Sequence, residues 1–277
     1  MSISVLILAL NEENILRSCL ESVNWSDDIV VLDSGSTDRT VEIAKSYGAR
    51  VLYRPFDNER EQRTFSIREI KFKYPWVYNP DADEITTPEL RDEMLQVISD
   101  KSRPEVAYRV RFKVMFMGKW LKHASLYPTW VTRLYQPDKL SFERLINTRY
   151  IVKGPEGKLK SHFLHYPFNK GLNGWFEKHN KYSWPEAEES LKSLAEGTLV
   201  WRDLFSRNPA RQRHFLKELS FRLPFRPTLR FIYMYFLRMG FLDGWEGLTY
   251  CRLLKIYEYM IVLKMKEIKR REKGLPI

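Results

Sequence analysis

Cysteine is scarce in this 277-residue chain: Cys19 and Cys251 are the only two, which excludes a disulfide framework and any cysteine-built zinc site. That usage suggests a reducing compartment. Long apolar runs are also missing. No stretch of 18 apolar residues occurs, so no ordinary transmembrane helix is expected. The opening MSISVLILALNEEN has a short apolar run with no basic residue before it and no small-residue cleavage site after it, so it is not read as a signal peptide. No Gly-x-Gly-x-x-Gly follows the first apolar run, which argues against a dinucleotide-binding enzyme. No Gly-x4-Gly-Lys-Ser/Thr occurs, which removes a P-loop kinase or ATPase. Internal repeats and low-complexity tracts are absent as well.

What is present is a folding-competent composition. Hydrophobic residues make up 44%, aromatics 14% and charged residues 29%, enough for a sizeable core and too apolar for disorder. The net charge of +11 is unevenly placed. Residues 1–150 hold 22 basic and 22 acidic side chains, and residues 151–277 hold 24 and 13, so the whole excess lies in the second part. A basic part attached to a neutral part predicts an anionic partner: a membrane surface, a phosphorylated lipid or a nucleic acid. No recognisable nucleic-acid-binding module is present, so nucleic acid is not expected.

The first part alternates strand and helix signals. Ile3–Ala9, Ile29–Leu32, Val51–Tyr53 and Trp76–Tyr78 read as short buried strands. Asn11 is expected to cap a helix carrying Ile15, Leu16, Cys19, Leu20 and Val23. Ser36-Thr37-Asp38 opens a second helix, Glu59–Ile70 a third, and Thr87-Pro88-Glu89 a fourth. This order predicts an α/β domain with a parallel sheet and helices on both faces. Residues 106–116 and Trp130–Tyr135 read as further strands on a mixed part of the sheet. From Leu172 onward the chain reads as helix, interrupted at Pro185, Pro209, Pro224 and Pro227.

Two segments carry chemistry. Asp81-Ala82-Asp83-Glu84 follows a buried strand, where open α/β sheets place their ligands. Carboxylates at i and i+2 there can reach one hard cation, Mg²⁺ or Mn²⁺, which completes its shell with water and phosphate oxygens. Such a cation offsets the charge on a leaving diphosphate. Asp33-Ser34-Gly35-Ser36-Thr37-Asp38 also follows a strand; Asp33 can accept from a nucleobase or ribose, while Ser36 or Thr37 caps the helix behind it.

Ser4–Glu13, Val31–Asp38, Gln62-Arg63 and Asp81–Leu90 together resemble family 2 glycosyltransferases of the GT-A fold. Gly118-Lys119-Trp120, Tyr127-Pro128, Arg133-Leu134, His165-Tyr166 and Gly240–Gly244 are similar to the lipopolysaccharide-core β-1,4-glucosyltransferase group. The resemblance implies a GT-A catalytic domain over residues 1–168, a Rossmann-like mixed sheet flanked by helices; residues 169–277 are expected to form a helical, membrane-associating region because of their basic and aromatic content. It also implies inverting transfer of a hexose from a nucleotide-diphosphate sugar, a UDP-sugar, to a lipid-linked or lipopolysaccharide-core acceptor. The nucleoside would lie near Leu8, Leu10, Asn11, Glu13 and Asp33, with Gln62 and Arg63 beside it. Asp81 and Asp83 would face the metal and the diphosphate, with His165 as a third metal ligand. Relatives often carry a Glu, the expected base, where this chain has Thr148; Glu143 on the same segment is the nearest substitute. A nucleotidyltransferase is the alternative, weakened because Leu10-Asn11-Glu12-Glu13 stands where its Gly-rich basic loop belongs.

The basic residues between Arg202 and Arg238 are interleaved with Phe205, Phe215, Phe221, Phe225, Phe231, Tyr233, Tyr235 and Phe236. That mixture reads as an interfacial segment on anionic lipid, which predicts a cytoplasmic protein held peripherally at the inner membrane face.

Overall fold

The computed structural model describes residues 2–143, 149–196, 199–206 and 209–277. They form two compact units: Met1–Trp120 with Tyr127–Asn169, and Leu121–Leu126 with Lys170–Ile277.

The first unit is built on a mixed sheet. Its strands are β1 (Ser4–Ala9), β2 (Ile29–Asp33), β3 (Arg50–Tyr53), β4 (Val77–Tyr78), β5 (Glu84–Thr86), β6 (Ala107–Phe116), β7 (Lys119–Trp120), β8 (Thr129–Tyr135) and β11 (Glu156–His165). Strands β9 (Leu140–Glu143) and β10 (Arg149–Val152) pair separately as an antiparallel ribbon. The order across the sheet is β3-β2-β1-β4-β8-β6-β11-β5, with β7 on β6. The β3-β2-β1-β4 half is parallel. Strand β8 is antiparallel to both its neighbours, and β11 runs parallel to β6.

Alternation explains why β1 is apolar throughout. Val5 and Ile7 point into a layer with Leu16 and Leu20 of α1 (Leu16–Val23) and with Leu90 and Met94 of α4 (Pro88–Ser99). Leu6 points to the other face, where Val30, Leu32, Val77 and Tyr135 meet Phe65 of α3 (Glu59–Arg68). Both faces are covered, so both side-chain sets must be apolar. Helix α2 is Thr40–Ser46.

Helix α1 starts at Leu16 and not beside Asn11. Asn11 sits in the left-handed region at φ 55°, which asparagine tolerates, and its side chain turns to a different loop.

The second unit contains α5 (Gly171–Glu196), α6 (Pro209–Arg222), α7 (Arg226–Ile232) and α8 (Gly244–Glu272). Pro185 does not interrupt α5. One turn earlier, the Asn180 carbonyl accepts from Ser183 Oγ at 2.9 Å and from Lys264 Nζ of α8 at 2.5 Å. The donor that proline removes would have served the Lys181 carbonyl, so these bonds brace the neighbouring residue of the same turn and do not replace the missing one. Residues 121–126 join this unit because the buried Asp243 carboxylate accepts from the backbone N–H groups of Lys122, His123 and Ala124 at 2.8–3.2 Å. Among the described residues no helix is long and apolar enough to cross a membrane.

The interleaved aromatics divide. Phe215 and Phe221 are buried, and Phe231 and Tyr235 stack at 5.3 Å on a small core around Met234. Phe205, Phe225 and Phe236 remain exposed, at 83%, 80% and 55%.

Candidate active site

The chain reverses its direction of travel across the sheet between β1 and β4, which makes the crevice at their C-terminal ends the expected ligand position. Pairing continues past the strands there, as a parallel bridge between Leu8 and Asp81. Asn79, fully buried, locks the crevice floor. Its side-chain amide donates to the Leu6 carbonyl at 2.7 Å, and its N–H donates to the Arg133 carbonyl at 2.8 Å.

Asp81 is held between two arginines. Arg63 Nη2 of α3 reaches Oδ1 at 3.3 Å, and Arg133 of β8 is paired with Oδ2. Arg133 also donates to the buried Glu84 at 2.5 Å. Glu84 in turn accepts from the Asp81 N–H at 3.1 Å, closing a ring of charge-assisted bonds. Burial would push the Asp81 carboxyl up, but Arg133 and Arg63 outweigh it and hold it well below the usual carboxylate range. Glu84 goes the other way. Burial dominates, Arg133 offsets part of it, the Asp81 charge adds to it, and the result is a carboxyl pushed up to about 7.

That shift has a sign. Folded Glu84 keeps its proton up to about pH 7, against an ordinary value of 4.5, so its contribution is fully present below 4.5 and is lost as pH rises to 7. Glu84→Gln should remove about 3 kcal/mol of that decline. Urea denaturation of both proteins across pH 5–8 checks this; parallel curves would contradict it.

Asp83 faces His165, the last residue of β11, with Oδ2 at 3.5 Å from Nε2. Backbone pairing aligns them: His165 lies opposite Glu84 in the β11–β5 ladder, and Tyr166 N–H donates to the Asp83 carbonyl at 2.9 Å. Burial disfavours the imidazolium, but the Asp83 hydrogen bond and the nearby Asp83, Glu84 and Asp81 charges raise the His165 pKa above its ordinary value. The ring lies edge-on to Phe112 at 5.4 Å.

A divalent cation fits this pair. Two donor atoms bound to one ion lie roughly 3 Å apart, and a Mg²⁺-type ion needs only one or two protein ligands beside water and phosphate. Asp81 does not complete a triad here, because both its oxygens are engaged by arginine. Among the described residues no group of three metal-ligating side chains converges. The sequence predicts three ligands; two of them, Asp83 and His165, come together.

The nucleoside-side residues form one network around the β2–α2 loop. Asp33 is buried and turned on its own loop, accepting from Gly35 N–H at 2.9 Å, Ser36 N–H at 3.0 Å and Ser36 Oγ at 2.5 Å. Asn11 Oδ1 accepts from Thr37 N–H at 2.8 Å, and Glu13 accepts from Arg39 N–H at 3.1 Å. These three side chains therefore shape the loop in this conformation. Gln62 is buried and donates to Ser34 Oγ at 2.9 Å, tying α3 to the same loop. Leu8 is half-buried beside Asp81, and Leu10 is exposed.

Glu143 is the exposed last residue of β9, opposite Arg149. Its neighbours Phe142 and Tyr150 meet edge-on at 5.0 Å, and the Tyr150 ring lies 5.5 Å under the Arg63 guanidinium. Alternation puts Glu143 on the ribbon face opposite these rings. Thr148 lies outside the described residues.

Sequence reasoning missed the tie between Arg133, Asp81 and Glu84 and the role of Asn79. The Asn immediately before Pro80-Asp81 was the available signal for Asn79. A basic residue in the inward register of β8 was the signal for Arg133.

The "Glycosyl transferase family 2" signature matches residues 4–155. An uncharacterized glycosyltransferase of Rickettsia typhi is 25% identical over 99% of this chain and 89% of its own length. The lipopolysaccharide core biosynthesis glycosyltransferase LpsC of Rhizobium meliloti is 26% identical, covering 92% of each chain. Among solved structures, glucosyl-3-phosphoglycerate synthase from Mycobacterium tuberculosis, crystallised with Mn²⁺, UDP and glucosyl-3-phosphoglycerate, is 25% identical with a TM-score of 0.34. That match spans 40% of this chain and 44% of the synthase. The chain belongs to glycosyl transferase family 2, and it is a glycosyltransferase with the GT-A fold.

Proposed function

We propose that this enzyme transfers a hexose, with inversion, from a UDP-sugar to a hydroxyl of a lipid-linked or lipopolysaccharide-core saccharide. The observation that carries the reading is the crevice at the ends of β1 and β4, where Asp83 meets His165 and Asp81 is held by two arginines. The likeness to LpsC over 92% of both chains supports the acceptor class.

The chain's own residues supply binding and orientation. Asn11, Glu13, Asp33 and Gln62 hold the β2–α2 loop rigid, and the nucleoside rests against that loop and Leu8–Leu10. Asp83 and His165 would hold Mg²⁺ or Mn²⁺, which supplies positive charge against the leaving diphosphate when bound. Arg63 and Arg133 keep Asp81 ionised and fixed, so the crevice does not reorganise as charge builds.

Glu143 is the proposed base that takes the acceptor hydroxyl's proton. Glu143→Gln should lower the transfer rate by about 10²–10⁴-fold with little change in stability. A near-wild-type rate would reject it. Tests of the whole reading use a panel of nucleotide sugars with a lipopolysaccharide-core acceptor, scoring transfer and anomeric configuration.

The second unit is proposed to lie on the anionic inner face of the membrane. Each arginine near such a surface contributes about 1 kcal/mol, and the exposed Phe205, Phe225 and Phe236 add apolar burial. Binding to anionic vesicles should therefore weaken as salt rises without vanishing, because only the charge term is screened. Sedimentation with vesicles of graded anionic content measures this; no binding at low salt would contradict it.

A further inference from the structure

The second unit contains a groove of about 740 Å³, within the range of small-molecule sites. Leu194, Phe221, Pro227, Ile256, Val262 and Met265 give it an apolar lining. Arg226, Lys255, Lys266 and Lys269 also line it, and among the described residues no acidic side chain does. Lys255, Tyr259, Val262, Lys266 and Lys269 recur at four- and three-residue steps, so they share one face of α8. From Lys255 to Lys269 that face runs about 21 Å. One bilayer leaflet is only about 15 Å deep in hydrocarbon.

The cations differ in their commitments. Arg226 pairs with Glu258 at 2.8 Å and covers the Phe221 ring at 4.7 Å. Lys255 lies 5.8 Å over Phe231. Lys266 and Lys269 are exposed, and the nearby Glu267 is paired with Arg271 at 2.8 Å and does not neutralise them. An apolar trough ending at two open ammonium groups matches an amphiphile with a hydrocarbon tail and an anionic head.

We propose that this groove binds one hydrocarbon chain of an anionic phospholipid, with its phosphate between Lys266 and Lys269. A second copy of this chain is disfavoured, since two such faces carry the same sign. An extended peptide is disfavoured too, because α7 and α8 satisfy their own backbone groups and offer no strand edge. The assignment deepens the membrane-facing reading of the second unit and rests on it.

The test titrates the full chain by calorimetry with short-chain phosphatidylglycerols kept below their micelle-forming concentrations. One saturable site is expected, tightening about fourfold per added methylene. Lys266→Glu with Lys269→Glu should weaken it by roughly tenfold or more. A neutral alkyl glycoside of equal chain length should bind the wild type about tenfold more weakly. Affinity that ignores chain length, equal binding of the neutral glycoside, or tighter binding of an acidic amphipathic peptide would each overturn the proposal. Vesicle sedimentation runs alongside. Vesicle binding without binding of monomeric lipid rejects the groove and leaves the membrane reading standing; loss of both rejects both.

Discussion

Asp83→Ala is expected to lower sugar transfer by at least about a thousandfold while leaving the fold intact. The activity loss follows from position. Asp83 and His165 are the two side chains in the crevice that converge on one point, 3.5 Å apart, and Asp81 is already committed to Arg63 and Arg133. Removing Asp83 therefore leaves a lone imidazole, too little to hold a hard cation against competing water. The fold survives because the bond that positions this loop uses the Asp83 carbonyl, which accepts from Tyr166 N–H and is unchanged by the substitution. Wild-type activity should vanish in excess chelator and return with Mn²⁺ or Mg²⁺; the variant's should not return. Asp83→Ala transferring at the wild-type rate would remove the metal from the account.

Arg133→Met is expected to be the most destabilising single change at the site, by about 3–5 kcal/mol near neutral pH. Arg133 is 6% exposed and Glu84 3%, so the pair has little water to fall back on. Without the guanidinium, Glu84 loses its main counter-charge, His165 offsets only part of the Asp81 repulsion, and its carboxyl rises further. Protonation then relieves part of the cost, so the penalty should shrink in acid and grow as pH rises through neutrality. Arg133→Lys should recover only part of the loss, because a single ammonium cannot bridge two carboxylates as a planar fork does. Denaturant titrations of the three proteins at about pH 6 and pH 8 measure this. An Arg133→Met protein as stable as wild type at both would mean the ion-pair ring is ornamental.

Much of this was legible in the sequence for identifiable reasons. The parallel strands announce themselves because both faces of β1, β2 and β4 are covered, leaving no polar alternation to confuse the pattern. Asp81 and Asp83 stand out because two carboxylates directly after a buried strand are costly without a purpose. Asn11 and Pro185 were less legible. Asn11 looks like a helix cap by its neighbours, but its partner is Thr37, 26 residues away. Pro185 looks like a break, yet α5 continues beside a lysine of α8 that bonds the Asn180 carbonyl. The assignment of residues 121–126 to the second unit depends on Asp243, more than a hundred residues later. Arg133 was visible as a basic residue in a strand, but its two acidic partners come from a different element. Local patterns fix elements; contacts across the sequence decide which side chains meet.

Product identity tests hexosyl transfer most directly. Purified enzyme is incubated with UDP-hexoses, Mn²⁺ and a lipopolysaccharide-core acceptor, and the products are resolved by mass spectrometry. Hexosyl transfer yields free UDP and an acceptor heavier by one hexose, in equal amounts. Release of pyrophosphate from a nucleoside triphosphate and a sugar phosphate, with no extended acceptor from any nucleotide sugar, would contradict it.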